Sequence, residues 1–384
     1  MVTAVRRGQS VRRVARRFGV SKNTVQLWVD RAGRQRLDRV DFGDHPAGCP
    51  TPVNRTKKKI ESLILSLRKH LKDKSDLGEY GAAAIRREMI ARKEKKIPSL
   101  RTIGRILLRN GALDGRKRVR RAPPPRGWYL GSGVIDHVEL DSIDTITDLV
   151  IRGGTHVTVL NVVSQHGGLC ASWPRSKITA KITVELLLAH WKKHGLSEYA
   201  KFDNDTVFQG AHQWPDSFGR VIRLCLSLGV TPIFSPPRET GFQADIEAFN
   251  GQWQRKVWQR FEHPNLRGLT MRSDRFTRAA NERNVQRIDN APTRRPLPGN
   301  FKLDLSQPLT GTIIYLRRTN DQGQVKLLGR TWLVSQHWVQ RLVRIEVSFD
   351  QKQIRFYALR RREPIDQPLL KKIKYTPPIK PFKE

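Results

Sequence analysis

The sequence is poor in cysteine and in long apolar runs, and each shortage excludes a class of protein. Its three cysteines, Cys49, Cys170 and Cys225, are far apart and odd in number, which argues against a disulfide framework and for a reducing compartment. No Cys-x-x-Cys pair occurs and the histidines do not accompany cysteines at zinc spacing, so a structural zinc is not expected. No apolar run reaches the ~18 residues of a membrane span, and the basic N-terminus lacks the features of a signal peptide. We therefore expect a cytoplasmic protein with no membrane partner.

Acidic residues are also scarce, and positive charge is in large excess. The 384 residues include 72 Lys and Arg against 35 Asp and Glu, a formal net charge of +37. This surplus predicts a polyanion as the partner, with nucleic acid as the first choice and an anionic membrane surface as the second. A chain of this length is expected to form several domains and to have ample material for a buried core.

The first 45 residues have the pattern of a helix-turn-helix. Apolar residues recur at helical spacing in "SVRRVARRF", Gly19 interrupts that helix, and Ser21 is suited to cap a second one. Two short helices across a tight glycine turn therefore predict a DNA-binding module over 1–45. The alternative is a helical hairpin whose basic face is merely solvated. Side chains that reach base edges or phosphates lie near the start of the second helix: Lys22, Asn23, Thr24 and Gln26.

A second module of the same kind is predicted over 55–115. The stretch "GEYGAAAIRREMIARKEKKIPSLRTIGRILLRNGAL" is typical of helix, turn and helix, and its last helix is expected to start at Pro98 or Ser99. The buried stripe of that helix is predicted to be Ile103, Ile106 and Leu107. Arg101 and Arg105 are the predicted DNA contacts. Two tandem modules suggest a long, bipartite DNA site.

After residue 115, the composition and the predicted secondary structure change several times along the chain. Residues 116–133 form a basic, proline-rich linker, which is either laid along DNA phosphates or an inert spacer. Strand-like segments and then alternating helices and strands predict an α/β domain over 134–290. After a linker at 291–308, alternating apolar residues predict a small β-sheet or barrel over 309–362, followed by a basic, disordered tail at 363–384.

Three acids of the predicted α/β domain lie at positions where their side chains can meet. Asp141 lies in its first strand, Asp203 ends a later strand, and Glu247 opens a long helix. Side chains at such positions can converge at one edge of a sheet, where α/β active sites usually form. Three carboxylates together would repel one another without a cation. Mg²⁺ suits oxygen ligands, and two ions about 4 Å apart can promote phosphodiester chemistry. A lone acid at a strand end would more often be a turn or a cap.

Several motifs in 134–262 resemble the catalytic core of DDE recombinases, the retroviral-type integrases and related bacterial insertion-sequence transposases. "VELDSI" resembles their first-strand Asp motif, "FDNDTVF" their Asp-Asn-Gly-x-x-Phe motif, and "SPPRETGFQADIEAFN" their Pro-rich loop and Glu-x-x-Asn helix. The helix-turn-helix before the core and the β-rich segment after it resemble parts of the same proteins.

The resemblance implies a multidomain architecture: N-terminal all-α helix-turn-helix modules, a central ribonuclease H-like α/β core and a C-terminal small all-β barrel. It also implies two Mg²⁺ ions per active site, with Mn²⁺ as a substitute, held by Asp141, Asp203 and Glu247. The expected activity is 3′-end cleavage of double-stranded DNA at element terminal repeats and strand transfer into target DNA. Because both ends must be joined together, a homo-oligomer on DNA is expected, in the nucleoid of a bacterial cytoplasm.

Two departures from the family pattern leave alternatives open. Asp205 stands where the family usually has Gly, and Asp203 and Glu247 lie further apart than is common, with Glu239 at the shorter spacing. Glu247 is preferred because "QADIEAFN" supplies the helical Glu-x-x-Asn context and Glu239 lies in a loop. For the first acid, Asp136 and Asp144 compete with Asp141, which is preferred because it continues the apolar alternation of its strand.

Other functions and contacts also remain open. Arg255 and Lys256, after the start of the long helix, are predicted to hold DNA phosphates, with a solvated basic face as the alternative. A catalytically inactive DNA-binding relative, acting as a repressor or assembly factor, and a metal-dependent DNA nuclease are the competing functions.

Overall fold

The structure, a computed structural model, describes residues 1–43, 55–113, 127–131, 136–211, 214–239, 241–361, 363–378 and 382. Two compact units divide the chain, Met1–Ser62 and Leu63–Glu384. Cys49 and most of the linker predicted at 116–133 lie outside the described residues. Within the described ranges, every helix is too short or too polar to cross a membrane.

The first unit is a small helical module. Its helices are α1 (Val2–Arg6), α2 (Val11–Phe18) and α3 (Lys22–Ala32), followed by a 3-10 turn, Leu37–Arg39. The Ser10 and Ser21 side chains accept hydrogen bonds from backbone N–H groups and so cap α2 and α3. Gly19 ends α2 in the left-handed conformation, which glycine adopts without strain. The helix-turn-helix predicted over 1–45 is confirmed, and α1 adds a helix that was not predicted.

The second unit begins with a further helical module. It consists of α4 (Lys58–Lys74), whose start lies in the first unit, α5 (Ala82–Ala91) and α6 (Leu100–Arg109). Ser99 caps α6 through a 3.2 Å hydrogen bond from the Thr102 N–H, as the sequence predicts. The predicted stripe of Ile103, Ile106 and Leu107 is buried. Helical periodicity and a capping serine therefore located this helix correctly.

A nine-stranded mixed sheet forms the centre of the second unit. Its strands are β1 (Leu140–Val150), β2 (His156–Ser164), β3 (Cys170–Arg175), β4 (Tyr199–Phe202), β5 (Thr231–Phe234), β6 (Thr312–Arg318), β9 (Leu342–Ser348), β10 (Gln353–Ala358) and β11 (Leu369–Lys374). The strand order is β11-β10-β9-β6-β5-β4-β1-β2-β3. The pairings β1–β4, β4–β5 and β5–β6 are parallel, and the remaining pairings are antiparallel. A separate hairpin joins β7 (Gln324–Leu327) and β8 (Arg330–Leu333).

Helices cover both faces of the central part of the sheet. They are α7 (Ala180–His194), α8 (Thr206–Gln209), α9 (Arg220–Ser227), α10 (Ala244–Trp253), α11 (Leu266–Arg283) and α12 (Val285–Asp289). α7 and α9 pack on one face, in a core that includes Ile143 and Trp191. α10 and α11 pack on the other face, in a core that includes Ile146 and Trp253. This two-sided packing confirms the α/β core predicted within 134–290.

The C-terminal strands do not form the separate barrel predicted over 309–362. β6 pairs in parallel with β5 through Ile233–Ile314 and Phe234–Tyr315, so the strands after residue 311 extend the central sheet. The tail predicted to be disordered contributes β11, which pairs with β10. Alternation of apolar and polar residues identifies a strand but not the edge to which it pairs, which is why the sequence did not reveal this extension.

Candidate active site

Two acids on β1 project from opposite faces of the sheet. Asp141 and Asp144 are three residues apart on one strand, and successive strand residues alternate between faces. Ile143 shares the face of Asp141 and packs against Trp191, whereas Ile146 shares the face of Asp144 and packs against α10. The strand geometry therefore separates two acids that are close in sequence.

Asp141 is neutralised inside the protein. It is fully buried, both of its carboxylate oxygens accept hydrogen bonds from Arg294, and Trp191 Nε1 donates to Oδ2 at 3.1 Å. Burial alone would raise the pKa of Asp141, but the charge and hydrogen bonds of Arg294 outweigh burial and hold the pKa below its ordinary value. The prediction of Asp141 as the first acid of the site is corrected here, because Asp141 faces α7 and its ionic partner is a cation of the protein itself.

Asp144 is the β1 acid that lies near the other two. Its Oδ1 accepts a 2.8 Å hydrogen bond from the Thr145 N–H, and its Oδ2 accepts one of 2.8 Å from Asn250 Nδ2. Burial is the largest of the effects that together raise the pKa of Asp144 to about 7. The negative charge of Asp203 and, less strongly, that of Glu247 add to burial, and the hydrogen bonds from Thr145 and Asn250 oppose it. Asp144 therefore lies on the face of β1 that α10 covers, near enough to Asp203 and Glu247 for their charges to affect its pKa. It is the residue that the sequence offered as an alternative to Asp141.

Asp203 occupies the carboxyl end of β4. Its Oδ1 accepts a 3.0 Å hydrogen bond from the Asp205 N–H, which forms a turn at the strand end. Burial raises the pKa of Asp203, and the charge of Asp205 adds to this effect while the Asp205 N–H opposes it. Asn204 Nδ2 donates to the Ser235 carbonyl at 2.6 Å and ties this turn to the end of β5.

Asp205 acts as a helix cap. Its Oδ1 accepts a 2.9 Å hydrogen bond from the Val207 N–H at the start of α8. Its φ of −62° lies in ordinary extended backbone, so a non-glycine residue is unstrained there. The residue that departs from the family pattern therefore stabilises the turn that carries Asp203.

Glu247 lies in the first turn of α10 and is exposed. Asn250, one turn further along, donates to Asp144 and accepts a 2.7 Å hydrogen bond from Asn161 Nδ2. Asn161 is the β2 residue paired directly with Asp144. This chain of three side chains holds the helix of Glu247 against β1 and β2, which gives Asn250 a structural role three residues after the glutamate.

The competing acids are placed elsewhere. Glu239 forms an ion pair with Arg318 on β6, and Asp136 is exposed ahead of β1. Sequence reasoning missed Lys201, which is buried on β4 and donates to the Phe242 carbonyl at 2.8 Å and to the Tyr129 hydroxyl at 3.2 Å. A lysine within a buried strand, two residues before Asp203, is the signal that could have identified it.

The donor chemistry of the site suits Mg²⁺, although its side chains are not arranged as a closed metal site. Among the described residues, no three His, Cys, Asp or Glu side chains are grouped closely enough to hold a metal ion. Asp144, Asp203 and Glu247 offer only carboxylate oxygens, which Mg²⁺ prefers. Burial first, and then the negative charge of Asp203, raise the pKa of Asp144, and a bound cation would lower it.

The predicted DNA contacts differ in their surroundings. Lys22, Asn23 and Gln26 on α3 and Arg101, Arg105 and Arg255 are exposed. Thr24 is half-buried and shares a 2.8 Å hydrogen bond with the Ser21 hydroxyl. Lys256 donates to the Gly78 carbonyl at 2.7 Å, so its ammonium joins the helical module to the core, a role that the sequence did not indicate.

Comparisons with known proteins give a family match for the N-terminal helical module. Residues 1–39 match the family model of a homeodomain-like domain, in agreement with the predicted helix-turn-helix. No curated protein sequence matches the chain.

Solved structures similar to the chain include integrases, the class that its motifs resemble. The catalytic core domain of BIV integrase is 16% identical, with 36% of this chain and 80% of that chain covered and a TM-score of 0.26. A simian T-cell lymphotropic virus intasome in complex with PP2A regulatory subunit B56 gamma is 13% identical (69% and 88% covered, TM-score 0.34). The HTLV-2 integrase catalytic core domain in complex with magnesium, in its trimeric form, is 15% identical (37% and 82% covered, TM-score 0.28).

Proposed function

We propose that the protein is a DNA transposase or integrase of the DDE type, with Asp144, Asp203 and Glu247 as its catalytic acids. The observation that carries this proposal is geometric: Asp144 on β1 accepts a 2.8 Å hydrogen bond from Asn250 on the helix of Glu247, and Asp203 follows the end of β4, the strand that pairs with β1. A chain with a net charge of +37 and a homeodomain-like module supplies the affinity for DNA that such a site requires.

In this proposal the three carboxylates hold two Mg²⁺ ions, or Mn²⁺ in their place. When bound, the ions supply an activated attacking oxygen and stabilise charge on the leaving oxygen. The chain itself contributes position. Asn250 and the Thr145 N–H fix the two oxygens of Asp144, and the Asp205 N–H fixes Asp203. Asp144 and Asp203 are held in place in this way, and the exposed Glu247 would have to approach them for all three to hold the ions.

Two successive phosphoryl transfers follow. In the first, the oxygen of a water molecule bonds to the phosphorus at the element end, the bond to the 3′ oxygen breaks, and that oxygen takes up a proton as a 3′-hydroxyl. In the second, this 3′ oxygen bonds to a phosphorus of target DNA and a 3′-hydroxyl of the target leaves. Neither step needs a protein nucleophile, which is consistent with a site composed of carboxylates.

The helical modules bind the element ends. The exposed start of α3 carries Lys22, Asn23 and Gln26, and α6 carries Arg101 and Arg105. These side chains suit base edges and phosphates. Joining two ends in one reaction requires more than one copy of the chain, so we propose a homo-oligomer on DNA.

The direct test uses duplexes that carry the inverted repeats flanking the gene. The purified chain is incubated with these duplexes, target plasmid and Mg²⁺, and the products are separated on denaturing gels. The proposal predicts nicks with a 3′-hydroxyl at the repeat ends and joined products in the target. Asp203→Ala should give neither product while it still binds the repeats.

The products also separate the competing functions. Cleavage without joined products, at positions unrelated to the repeats, would identify a metal-dependent nuclease. Equal behaviour of the wild type and Asp203→Ala, with DNA binding retained, would identify a catalytically inactive relative that acts as a repressor or assembly factor.

A further inference from the structure

A single row of paired residues crosses the central sheet from the carboxylates to its far edge. Strand registers pair Ser142 on β1 with Lys201 on β4, and the row then continues through Ile233, Ile314, Glu346, Arg355 and Lys372. Paired residues of neighbouring strands project from the same face of a sheet. Asp144 lies two residues from Ser142 and Asp203 two from Lys201, so the carboxylates share the face of Arg355 and Lys372.

The far end of this row is strongly basic. The Glu346 carboxylate lies 3.2 Å from Arg344 Nε and 3.1 Å from an Arg355 terminal nitrogen, so one acid serves two guanidinium groups. Both guanidinium groups also lie over the Tyr357 ring, at 4.6 and 6.0 Å from its centroid. Lys372 and Lys374 are exposed on the adjoining edge strand. We name Arg344, Arg355, Lys372 and Lys374, together with Glu346 and Tyr357, the basic face.

The guanidinium groups of the basic face share one acid. Among the described residues, the buried Nε atoms of Arg344 and Arg355 have no partner in hydrogen-bonding geometry, although Arg344 Nε lies 3.2 Å from Glu346, and Arg344 as a residue is only 6% exposed. Burial lowers the pKa of Arg344, against the opposing effect of Glu346. One carboxylate between two guanidinium groups leaves a net positive charge, and a further anion nearby would lower its free-energy cost. The basic face therefore carries more positive than negative charge. Lys372 and Lys374, on its edge strand, are exposed to solvent.

The length of the row can be expressed as a length of duplex DNA. Five strand spacings of about 4.8 Å separate β10 from β1, a distance of about 24 Å. At a rise of about 3.4 Å per base pair this is roughly seven base pairs. Between the two ends of the row, the exposed Arg361 lies over the rings of Trp128 and Phe242, at 5.7 and 5.8 Å.

We propose that the basic face binds the phosphate backbone of the DNA duplex whose scissile bond lies at the carboxylates, about seven base pairs from that bond. The inference rests on the proposed function for the position of the scissile bond. The extension of the core sheet by β6, β9, β10 and β11 would then serve to lengthen one continuous DNA-binding face.

The test measures duplex binding in EDTA, where no cleavage takes place, as a function of salt. Arg355→Gln combined with Lys372→Gln should weaken binding severalfold and lower the salt slope by roughly 2, because each lost phosphate contact removes about 0.9 from the slope. The matched control is Lys302→Gln combined with Lys326→Gln. Both lysines are exposed, and their neighbours Phe301, Val325 and Leu327 pack in the core on the opposite face. The control should leave the slope unchanged.

A second variant guards against unfolding. Arg355→Gln removes an ion pair with Glu346, whereas Lys372 is exposed and its substitution should not affect folding. Lys372→Gln alone should lower the slope by roughly 1 with an unchanged thermal transition. Equal slopes for wild type, control and both test variants would overturn the inference.

The same experiment separates this inference from the proposed function. If the wild type does not cleave DNA but the slope still falls in the test variants, the catalytic proposal fails and the DNA-binding face stands. If the wild type cleaves and joins DNA while the test variants bind like the control, the basic face is not a DNA surface and the catalytic proposal stands.

Discussion

Asp141 and Asp144 lie on the same strand, yet their surroundings place them in opposite electrostatic states. On one face, Asp141 is buried against Arg294 and Trp191, and its pKa is lowered. On the other face, Asp144 lies near Asp203 and Glu247, and its pKa is raised to about 7. Asp141 is paired with a cation of the protein, whereas Asp144 forms no ion pair with any residue in the part of the chain that the structure describes.

This difference indicates how a structural acid can be told from a candidate catalytic acid. A buried carboxylate with a bidentate guanidinium partner has its hydrogen-bonding capacity met and is part of the scaffold. Neighbouring carboxylates that accept hydrogen bonds only from neutral groups keep their charge available for a cation or substrate. The two faces of β1 can therefore be compared by matched substitutions.

The largest effect is expected from Asp144→Asn. Loss of one acid from the proposed catalytic set should lower DNA cleavage on the order of a hundredfold to a thousandfold, while the fold is retained. Cleavage of repeat-end duplexes in Mg²⁺ measures the effect, and circular dichroism checks the fold. Undiminished cleavage by this variant would show that the carboxylate of Asp144 is not required.

Asp141→Asn should affect folding instead. It leaves Arg294 buried without its ionic partner, and removal of one member of a buried ion pair costs about 3–5 kcal/mol of the free energy of unfolding. Urea denaturation measures this loss. Cleavage per folded molecule should stay close to that of the wild type.

A double variant provides the control for this prediction. Asp141→Leu with Arg294→Met removes both charges and should recover much of the stability that Asp141→Asn loses. A single substitution of Asp141 that leaves stability intact and abolishes cleavage would reverse the assignment of the two faces.

The pH dependence of stability should differ in sign between the two acids. Because the pKa of Asp144 is raised in the folded state, its favourable contribution is complete below the unfolded pKa near 4 and is lost as pH rises through about 7. In EDTA, Asp144→Asn should therefore equal the wild type at low pH and exceed it at pH above 7, by up to about 4 kcal/mol before screening by solvent.

Asp141 contributes in the other direction. Its pKa is lowered in the folded state, so its contribution is present above the unfolded pKa and is lost as pH falls below it.

Addition of Mg²⁺ near neutral pH should stabilise the wild type more than Asp144→Asn. Identical pH–stability curves for wild type and Asp144→Asn would show that folding does not raise the pKa of Asp144.

The smallest effect is expected at Asp205, which caps α8 beside the site. Asp205→Ala should cost about 1 kcal/mol of unfolding free energy, and Asp205→Gly only a few tenths, because glycine is tolerated at helix N-caps. Both variants remove a negative charge next to Asp203 and should lower the pKa of that carboxyl. Thermal unfolding and the pH profile of cleavage measure the two effects, and a larger loss for glycine than for alanine would contradict the capping role.

Much of the local structure could be predicted because it depends on nearby residues. Ser21 and Ser99 mark the starts of α3 and α6, and the buried positions Ile246, Phe249, Trp253 and Val257 follow the helical period. Asp203 and Glu247 were also located correctly at a strand end and a helix start. Each of these inferences needs only the period of one element or the chemistry of one turn.

The choice between Asp141 and Asp144 could not be made in this way. Both acids lie in one strand, and the side of the sheet that receives α10 depends on how distant elements pack. Arg294 follows Asp141 by 153 residues, and Asn250 follows Asp144 by 106. Apolar residues occur on both faces of β1, so alternation alone does not tell which face carries the site.

The sequence by itself determined the excess of positive charge, the helical modules, the alternation of helices and strands in the core, and the positions of Asp203 and Glu247 at a strand end and a helix start. The tertiary structure alone decided that Asp144, and not Asp141, lies on the face of β1 that α10 covers, and that the C-terminal strands extend the central sheet. The physical reason is the same in both cases: hydrogen bonds and ion pairs between residues far apart in the chain select one partner among several that local patterns allow equally.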